Sequence, residues 1–281
     1  MAFHRFENIE SNFLTPHLSS ARGPVIEGKY LYFCLVNKSA GTGSKLHYHP
    51  NELLIFPVRG KINAIVGKDR RIVPTGMFVH APAYARHSMR ATEDGDCSYL
   101  YIKDKTWTVV GLAEDEAVPD QAMTVAEVNK KYNVGDRDKH KKAEGQSQAV
   151  IEGVKVCYYP VIDAFDAPPV SARRANSIEG ERLAFAYFEA QEGIEAAEKA
   201  SAHETFVYVL HGEVEADCNG EKKTLTPGGI LQTARGDRYS IKVKSPFARY
   251  VSVHPTPFLE NLIDSMTPEQ AEQARINMKA N

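Results

Sequence analysis

The chain has 281 residues, of which 43% are hydrophobic and 25% are charged, and its formal net charge at pH 7 is −2. These values are typical of a globular protein, and the nearly balanced charge argues against nucleic acid or a charged membrane surface as a partner. No stretch approaches the roughly 20 apolar residues of a membrane-spanning helix, and the polar first residues predict no signal peptide. The four cysteines lie far apart and form no C-x-x-C pair. This usage fits a reducing compartment, so we expect a cytoplasmic location.

Short β-strands are the first elements that the pattern predicts. Aromatic and β-branched residues are frequent in residues 29–36 (KYLYFCLV), 53–66 and 96–102, and Gly, Pro and Asn separate these stretches. Later in the chain, residues 219–220 (NG) form a strong hairpin signal. Short strands at regular spacing, with no helical pattern between them, predict a β-sandwich or a small barrel.

Two short helices are predicted outside these strands. The first covers residues 124–132, with Thr124 as N-cap and Glu127 as its capping-box partner. The basic run that follows, 137–142 (RDKHKK), is predicted to be a solvated connector, because it is isolated in a nearly neutral protein. The second helix is predicted to begin at residues 267–269 (TPE), with proline in its first turn.

A tandem repeat organises the chain. When the sequence is shifted by 152 residues, identical or similar residues meet in one register without a gap. The identical pairs include Ile26-Glu27-Gly28 with Ile178-Glu179-Gly180, Gly41 with Gly193, Glu52 with Glu204, Gly60 with Gly212, and Gly76 with Gly228. We therefore divide the chain into an N-terminal unit (1–118), a linker with a short helix (119–165) and a C-terminal unit with a terminal helix (166–281).

Two histidines in the N-terminal unit are candidate metal ligands. His47 and His49 are one residue apart, and side chains at i and i+2 of a strand point to the same face. They would lie roughly 6–7 Å apart along the strand, close enough to share one transition metal. For an isolated H-x-H pair, two buried histidines bonded to the backbone are the commoner explanation. The surrounding residues decide between these alternatives.

This region resembles the cupin family. The first cupin motif, G-x5-H-x-H-x3-E-x6-G, meets Gly41, His47, His49, Leu53 and Gly60 at its spacings. The second motif, G-x5-P-x-G-x2-H, meets Gly76, Pro82, Tyr84 and His87. The resemblance covers both repeat units and implies a bicupin. The expected fold is therefore all-β, with two tandem cupin (double-stranded β-helix, jelly-roll) barrels and a few short helices.

The resemblance implies that His47, His49 and His87 bind the metal. Leu53 occupies the place where many cupins have a glutamate ligand. The neighbouring Glu52 would face away from the metal on a regular strand, and Glu204 matches it in the other copy, so a structural role is favoured for it. The alternatives are a bulge that turns Glu52 inward as a metal ligand, and a part in catalysis. A neutral three-histidine site leaves the metal its full charge and two or three open positions.

The C-terminal unit lacks these ligands. Lys199, Ser201 and Tyr239 stand at the three histidine positions, and Thr205 stands at the glutamate position. We expect a metal-free cupin that packs against the first unit and completes the bicupin or its dimer. The alternative is a second small-molecule pocket lined by Lys199 and Tyr239.

Further residues are weaker candidates for the site. His80, on the predicted strand before His87, is a candidate general base or substrate contact, and a core histidine is the alternative. Tyr32, Tyr99 and Tyr101 lie on aromatic strands and are candidates to line the barrel and bind substrate, although most barrel tyrosines are core residues.

The resemblance also implies a reaction class. Three-histidine sites in cupins similar to this one often cleave C–C bonds of diketones or hydroxylated aromatic acids, so a mononuclear non-haem Fe(II) dioxygenase is the leading hypothesis. A Zn, Ni or Mn ion acting as a Lewis acid in an isomerase or lyase is the second. A small-molecule binding module is the third. We expect a small-molecule substrate, a homodimer, and neither nucleic acid nor membrane as a partner.

Overall fold

A computed structural model describes most of both units. The described residues are 2–14, 19–48, 51–67, 69–83, 85–105, 157–162, 167–169 and 171–269. Four features named from the sequence lie outside them: His49, Tyr84, the helix at 124–132 and the basic run at 137–142.

Antiparallel strands make up nearly all of the regular structure. Before the linker they are β1 (Phe3–Arg5), β2 (Asn12–Phe13), β3 (Arg22–Gly23), β4 (Val25–Glu27), β5 (Leu31–Lys38), β6 (Leu53–Arg59), β7 (Lys61–Val66), β8 (Asp69–Pro74), β9 (Met77–Ala81), β10 (His87–Ala91) and β11 (Cys97–Asp104). Next come β12 (Tyr158–Pro160), β13 (Arg173–Glu179), β14 (Leu183–Gln191), β15 (Glu195–Ala200), β16 (Thr205–His211), β17 (Val214–Cys218), β18 (Glu221–Leu225), β19 (Gly229–Thr233), β20 (Arg238–Val243) and β21 (Phe247–Pro255).

Helices are few. A 3-10 turn covers Phe6–Asn8, and α1 (Pro257–Asp264) follows β21. Helix α1 was not predicted from the sequence, although Thr256 caps it with a side-chain oxygen that accepts from Leu259 N, and proline follows at the first helical position. Residues 268 and 269, where a helix was predicted to begin, are helical. Among the residues described, no helix has the length and apolar character to cross a membrane.

Each unit consists of two facing antiparallel sheets. In the N-terminal unit the strand orders are β12-β9-β6-β11-β5-β3-β2, with β4 also paired to β5, and β10-β7-β8. In the C-terminal unit they are β1-β19-β16-β21-β14-β13 and β15-β20-β17-β18. The strands from β5 to β11 recur in the C-terminal unit in the same order, and the pairs that β6 to β10 form there keep the register of the repeat. The last strand, β21, pairs one residue out of the register that β11 has. The all-β prediction of two tandem jelly-roll barrels is confirmed.

Repeated glycines mark repeated turns. Gly60 joins β6 to β7 and Gly212 joins β16 to β17, with φ of 71° and 73°. A Cβ atom at Gly60 would collide with the carbonyl oxygen of Asp96, and one at Gly212 would collide with that of Phe247. Both the left-handed backbone and the lack of space therefore require glycine in each copy.

The two units exchange edge strands. β1, at the start of the chain, pairs with β19 of the C-terminal unit, with Phe3 opposite Leu231. β12, which falls in the stretch 119–165 assigned to the linker, pairs with β9 of the N-terminal unit, with Tyr158 opposite Val79. Each exchanged strand covers an edge that would otherwise expose unpaired backbone groups. The segment before each unit thus completes the sheet of the other.

Strand alternation divides the apolar residues among three cores. On β6, Leu53 and Ile55 face into the N-terminal barrel, whereas Leu54 and Phe56 face the other unit. A third cluster fills the C-terminal barrel. Between the units, aromatic rings stack at centroid distances of 5.0 Å (Phe33 with Phe206) and 4.2 Å (Phe78 with Phe185). Burying each such ring contributes roughly 1.5–3 kcal/mol, so this contact joins the units firmly.

Candidate metal centre

His47 and His87 face each other inside the N-terminal barrel. Their backbones form a small antiparallel bridge, in which His47 N donates to His87 O at 3.1 Å and His87 N donates to His47 O at 2.8 Å. The two ring centroids are 4.5 Å apart. Cross-strand pairing therefore brings together two imidazoles that are distant in sequence, at a separation that suits one shared ion.

Backbone carbonyls orient both rings. The Nδ1 of His47 donates to Lys45 O at 2.6 Å, and the Nδ1 of His87 donates to Ala85 O at 2.8 Å. A carbonyl oxygen only accepts, so each Nδ1 carries the proton and each Nε2 carries the lone pair. Metal-binding histidines are commonly held in this way by a hydrogen bond from the other ring nitrogen.

Burial keeps these imidazoles neutral. Removal from water, together with the neighbouring His87, lowers the pKa of His47 to about 3, and burial lowers the pKa of His87 to about 4. The neutral form is the one that binds a metal, so no proton has to be displaced near pH 7. Within the described ranges, no three His, Cys, Asp or Glu residues converge to hold an ion. His49, the third expected ligand, lies outside those ranges, and the two histidines that are described fit a metal.

A small cavity of about 30 Å³ adjoins the histidine pair. Tyr99 and Tyr101 line it together with Lys38 and apolar side chains. None of the described lining residues is an Asp or a Glu. Tyr32 is buried on β5 but is not among these lining residues, and its ring lies 5.1 Å from Lys105 Nζ. The described structure thus brings two of the three candidate tyrosines to the histidines.

Two buried lysines near this cavity were missed in the sequence. The Nζ of Lys38 donates to Met89 O at 2.7 Å and to Ser19 Oγ at 3.1 Å, and burial lowers its pKa to about 7. Lys103 shares a strand face with Tyr99 and Tyr101, and burial lowers its pKa to about 8. Its charge is near enough to help lower the pKa of both histidines. Strand alternation offered the signal, since each lysine continues the inward-facing series of its strand.

Comparison with known proteins bears on the fold around these histidines. Residues 35–103, which lie within the N-terminal unit, match the family model described as the cupin domain. Among curated proteins, none matches the chain.

Two solved structures illustrate the shared fold. Bacillus subtilis oxalate decarboxylase, which has Mn(II) centres, has a TM-score of 0.59 and 12% identity, with 90% of this chain and 77% of that chain covered. Salicylate 1,2-dioxygenase from Pseudaminobacter salicylatoxidans has a TM-score of 0.60 and 14% identity, with 83% of this chain and 73% of that chain covered. At these identities the likeness is one of fold alone, and it extends over both cupin barrels.

Glu52 and His80 lie at the contact between the two cupins. The Glu52 carboxylate is fully buried and accepts from the backbone N–H groups of Arg182 at 2.8 Å and Leu183 at 2.7 Å. His80 Nε2 is 2.6 Å from Glu52 Oε1. Neither residue is among those that line the cavity beside His47. Because strand alternation turns Glu52 outward, the geometry gives these two candidate catalytic residues a structural role instead.

The C-terminal cupin makes the same contact in reverse. Glu204 accepts from the backbone N–H groups of Lys29 at 2.7 Å and Tyr30 at 3.0 Å. A Cβ atom at Gly28 would collide with the Glu204 carboxylate, as one at Gly180 would with that of Glu52. The repeated glutamate and the repeated Ile-Glu-Gly tripeptide are thus two halves of one reciprocal contact, which we call the glutamate clasp.

Lys199 and Tyr239 occupy the place of the histidine pair in the C-terminal cupin. They are opposite each other on β15 and β20, as His47 and His87 are in the N-terminal cupin. Lys199 Nζ lies 5.6 Å from the centroid of the Tyr239 ring. The register inferred from the repeat is therefore correct at these positions, where the imidazoles have been replaced.

Proposed function

We propose that this chain is a mononuclear non-haem Fe(II) dioxygenase that acts on a small anionic or enolisable substrate, such as a hydroxylated aromatic acid or a diketone. His47, His49 and His87 would hold the metal. The observation that carries the proposal is the pair of buried, neutral imidazoles whose Nε2 lone pairs share the interior of the N-terminal cupin. Bound there, Fe(II) supplies open coordination positions and the redox chemistry that C–C cleavage with O₂ requires.

The charge around the site favours an anion. The histidine ligands are neutral and the lining residues described include no carboxylate. Lys38 lines the cavity and Lys103 is buried nearby, and with pKa values of about 7 and about 8 each carries a positive charge at least part of the time near pH 7. Buried charges are costly unless they are paired, so a substrate carboxylate or enolate would be stabilised there. Two N–H bonds of Lys38 are taken by Met89 O and Ser19 Oγ, which directs the ammonium group while leaving one N–H for substrate.

The tyrosines would hold the substrate without titrating. Burial raises the pKa of Tyr99 and of Tyr101 well above the ordinary value for a phenol. Both hydroxyls therefore stay protonated near pH 7 and can donate hydrogen bonds to an anionic oxygen. Their rings supply apolar walls for the substrate body.

Oxygen consumption tests the proposal. The chain is reconstituted anaerobically with Fe(II) and offered salicylate, gentisate and acetylacetone in turn. We expect uptake of one O₂ per substrate consumed for at least one of them, and its loss in His87→Ala. Turnover without O₂ uptake would instead support the Zn, Ni or Mn isomerase or lyase. Absence of turnover by the Fe(II)-loaded protein would favour a binding module.

A further inference from the structure

The C-terminal cupin encloses a cavity where the metal ligands have been replaced. Its volume is about 320 Å³, which falls in the range of small-molecule sites, and Lys199, Ser201 and Tyr239 are among its lining residues. The cavity beside His47 and His87 has about 30 Å³. A barrel kept only for packing would be expected to fill such a space with apolar side chains, as protein interiors are normally close-packed.

The walls of this cavity are suited to a flat apolar group. Phe188, Val207, Ile241 and Tyr250 line it. The rings of Phe188 and Tyr250 stack on each other at 5.1 Å with an interplanar angle of 18°. An aromatic ring bound against them would bury apolar surface on both partners.

The polar lining is positive. Lys199 and Arg173 both line the cavity and are exposed to solvent, and no Asp or Glu is among the described lining residues. Neither cation forms an ion pair with a carboxylate in the part of the chain that the structure describes. Among the lining residues, His203 has a carboxylate beside it: Glu260 Oε1 lies 3.1 Å from His203 Nδ1, and Glu260 Oε2 lies 3.8 Å from Arg235. The two cations therefore remain available to an anion from solution.

The deeper polar groups are already engaged. Ser201 is buried, its Oγ donates to His203 O at 2.6 Å and accepts from Thr233 Oγ1 at 3.1 Å. His254 Nδ1 donates to Pro255 O at 2.8 Å. The polar groups that remain available to a ligand are thus the two cations, Lys199 and Arg173.

We propose that the C-terminal cupin binds a small aromatic carboxylate in this cavity without a metal. The ring packs against Phe188 and Tyr250, and the carboxylate pairs with Lys199 and Arg173. The inference goes beyond the chemistry proposed for the N-terminal cupin and does not depend on it.

Calorimetric titration with benzoate tests this site on the full chain after removal of metal by EDTA. We expect saturable binding of one benzoate per chain. The His47→Ala/His87→Ala variant should bind with unchanged affinity, whereas Lys199→Met, which keeps the apolar stem, should weaken binding about tenfold or more through loss of a charged hydrogen bond. Lys222→Met, which removes an exposed lysine of the same barrel, is the matched control and should change nothing.

A second measurement avoids any question of whether a variant folds. Benzamide has the shape of benzoate without its charge, and the unchanged chain should bind it about tenfold more weakly or worse. The inference is overturned if benzoate shows no saturable binding, or if benzamide binds equally well. Loss of binding in the histidine variant with full retention in Lys199→Met would also overturn it, because the site would then be the N-terminal one.

Discussion

The two cupins of this chain share a register but differ at the cross-strand pair in the middle of each barrel. In the N-terminal cupin the pair is His47 and His87, and in the C-terminal cupin it is Lys199 and Tyr239. Residues that recur in both copies lie elsewhere, in the tight turns and in the glutamate clasp. In this duplicated chain, the repeated residues stabilise the fold of both cupins. The residues that differ line the barrel interiors and give each interior its own chemistry.

The largest expected effect comes from separating the two cupins. A chain of residues 1–144 lacks β12 and the whole C-terminal cupin, so its β9 edge and the aromatic face around Phe33, Phe56 and Phe78 become exposed. We expect an aggregating or molten product, measured by size-exclusion chromatography and near-UV circular dichroism. Co-expression of residues 145–281 should restore solubility. A soluble and fully active N-terminal fragment would show that the contact is dispensable.

The next largest effect is on metal content, which we expect to depend on the N-terminal cupin alone. We expect one equivalent of metal per chain after anaerobic Fe(II) reconstitution, since the second barrel has Lys199, Ser201 and Tyr239 at the positions that match the three histidines. His87→Ala should abolish stoichiometric binding, because it removes one of the three proposed ligands. Lys199→Ala, at the matching place in the other barrel, should bind as the unchanged chain does. Elemental analysis measures this, and two tightly bound metals per chain would contradict the comparison.

The glutamate clasp predicts a loss of stability in both cupins that is larger at Glu52. Glu52→Ala leaves the backbone N–H groups of Glu181, Arg182 and Leu183 without this acceptor, and Glu204→Ala leaves two, at roughly 1–3 kcal/mol for each group. We expect Glu204→Ala to lower the free energy of unfolding by about 3 kcal/mol in denaturant titrations, and Glu52→Ala to lower it further. Glu52→Gln keeps an acceptor oxygen and should leave metal content unchanged. A large loss of metal in a folded Glu52→Gln would instead make Glu52 a ligand.

The smallest expected effect on the N-terminal chemistry comes from changing the C-terminal pair. The double variant Lys199→Ala/Tyr239→Phe alters the second cavity without touching the clasp or the stacked rings between the units. It should keep its metal and its O₂ uptake with whichever substrate the unchanged chain consumes. Turnover that disappears while metal content stays would show that the second cavity takes part in the reaction.

Local patterns carried much of the prediction. Strand alternation predicted that Glu52 faces away from the barrel interior, and the repeat register placed Lys199 opposite Tyr239. These inferences succeeded because the period of a strand and the left-handed turns at residues such as Gly60 and Gly212 are set by neighbouring residues. For the same reason α1 should have been recognised from Thr256-Pro257, since its cap is local.

The roles of Glu52 and His80 could not be predicted from local patterns. A glutamate and a histidine suit catalysis as well as structure. Only the approach of Arg182 and Leu183 from the other cupin shows that Glu52 belongs to the clasp, with His80 beside it. Lys38 is similar, because its position beside the histidines depends on how β5 lies against β10 across the barrel.

The sequence by itself therefore determined the all-β class, the duplication, its register as far as β20, and which copy has histidines at the motif positions. The tertiary structure alone decided the exchange of β1 and β12, the reciprocal clasp, the contacts of the two buried lysines and the size of the C-terminal cavity. The physical reason is the range of the interactions. Turn geometry and strand period are encoded within a few residues, whereas edge pairing, charge burial and cavity volume arise only when segments far apart in the chain pack together.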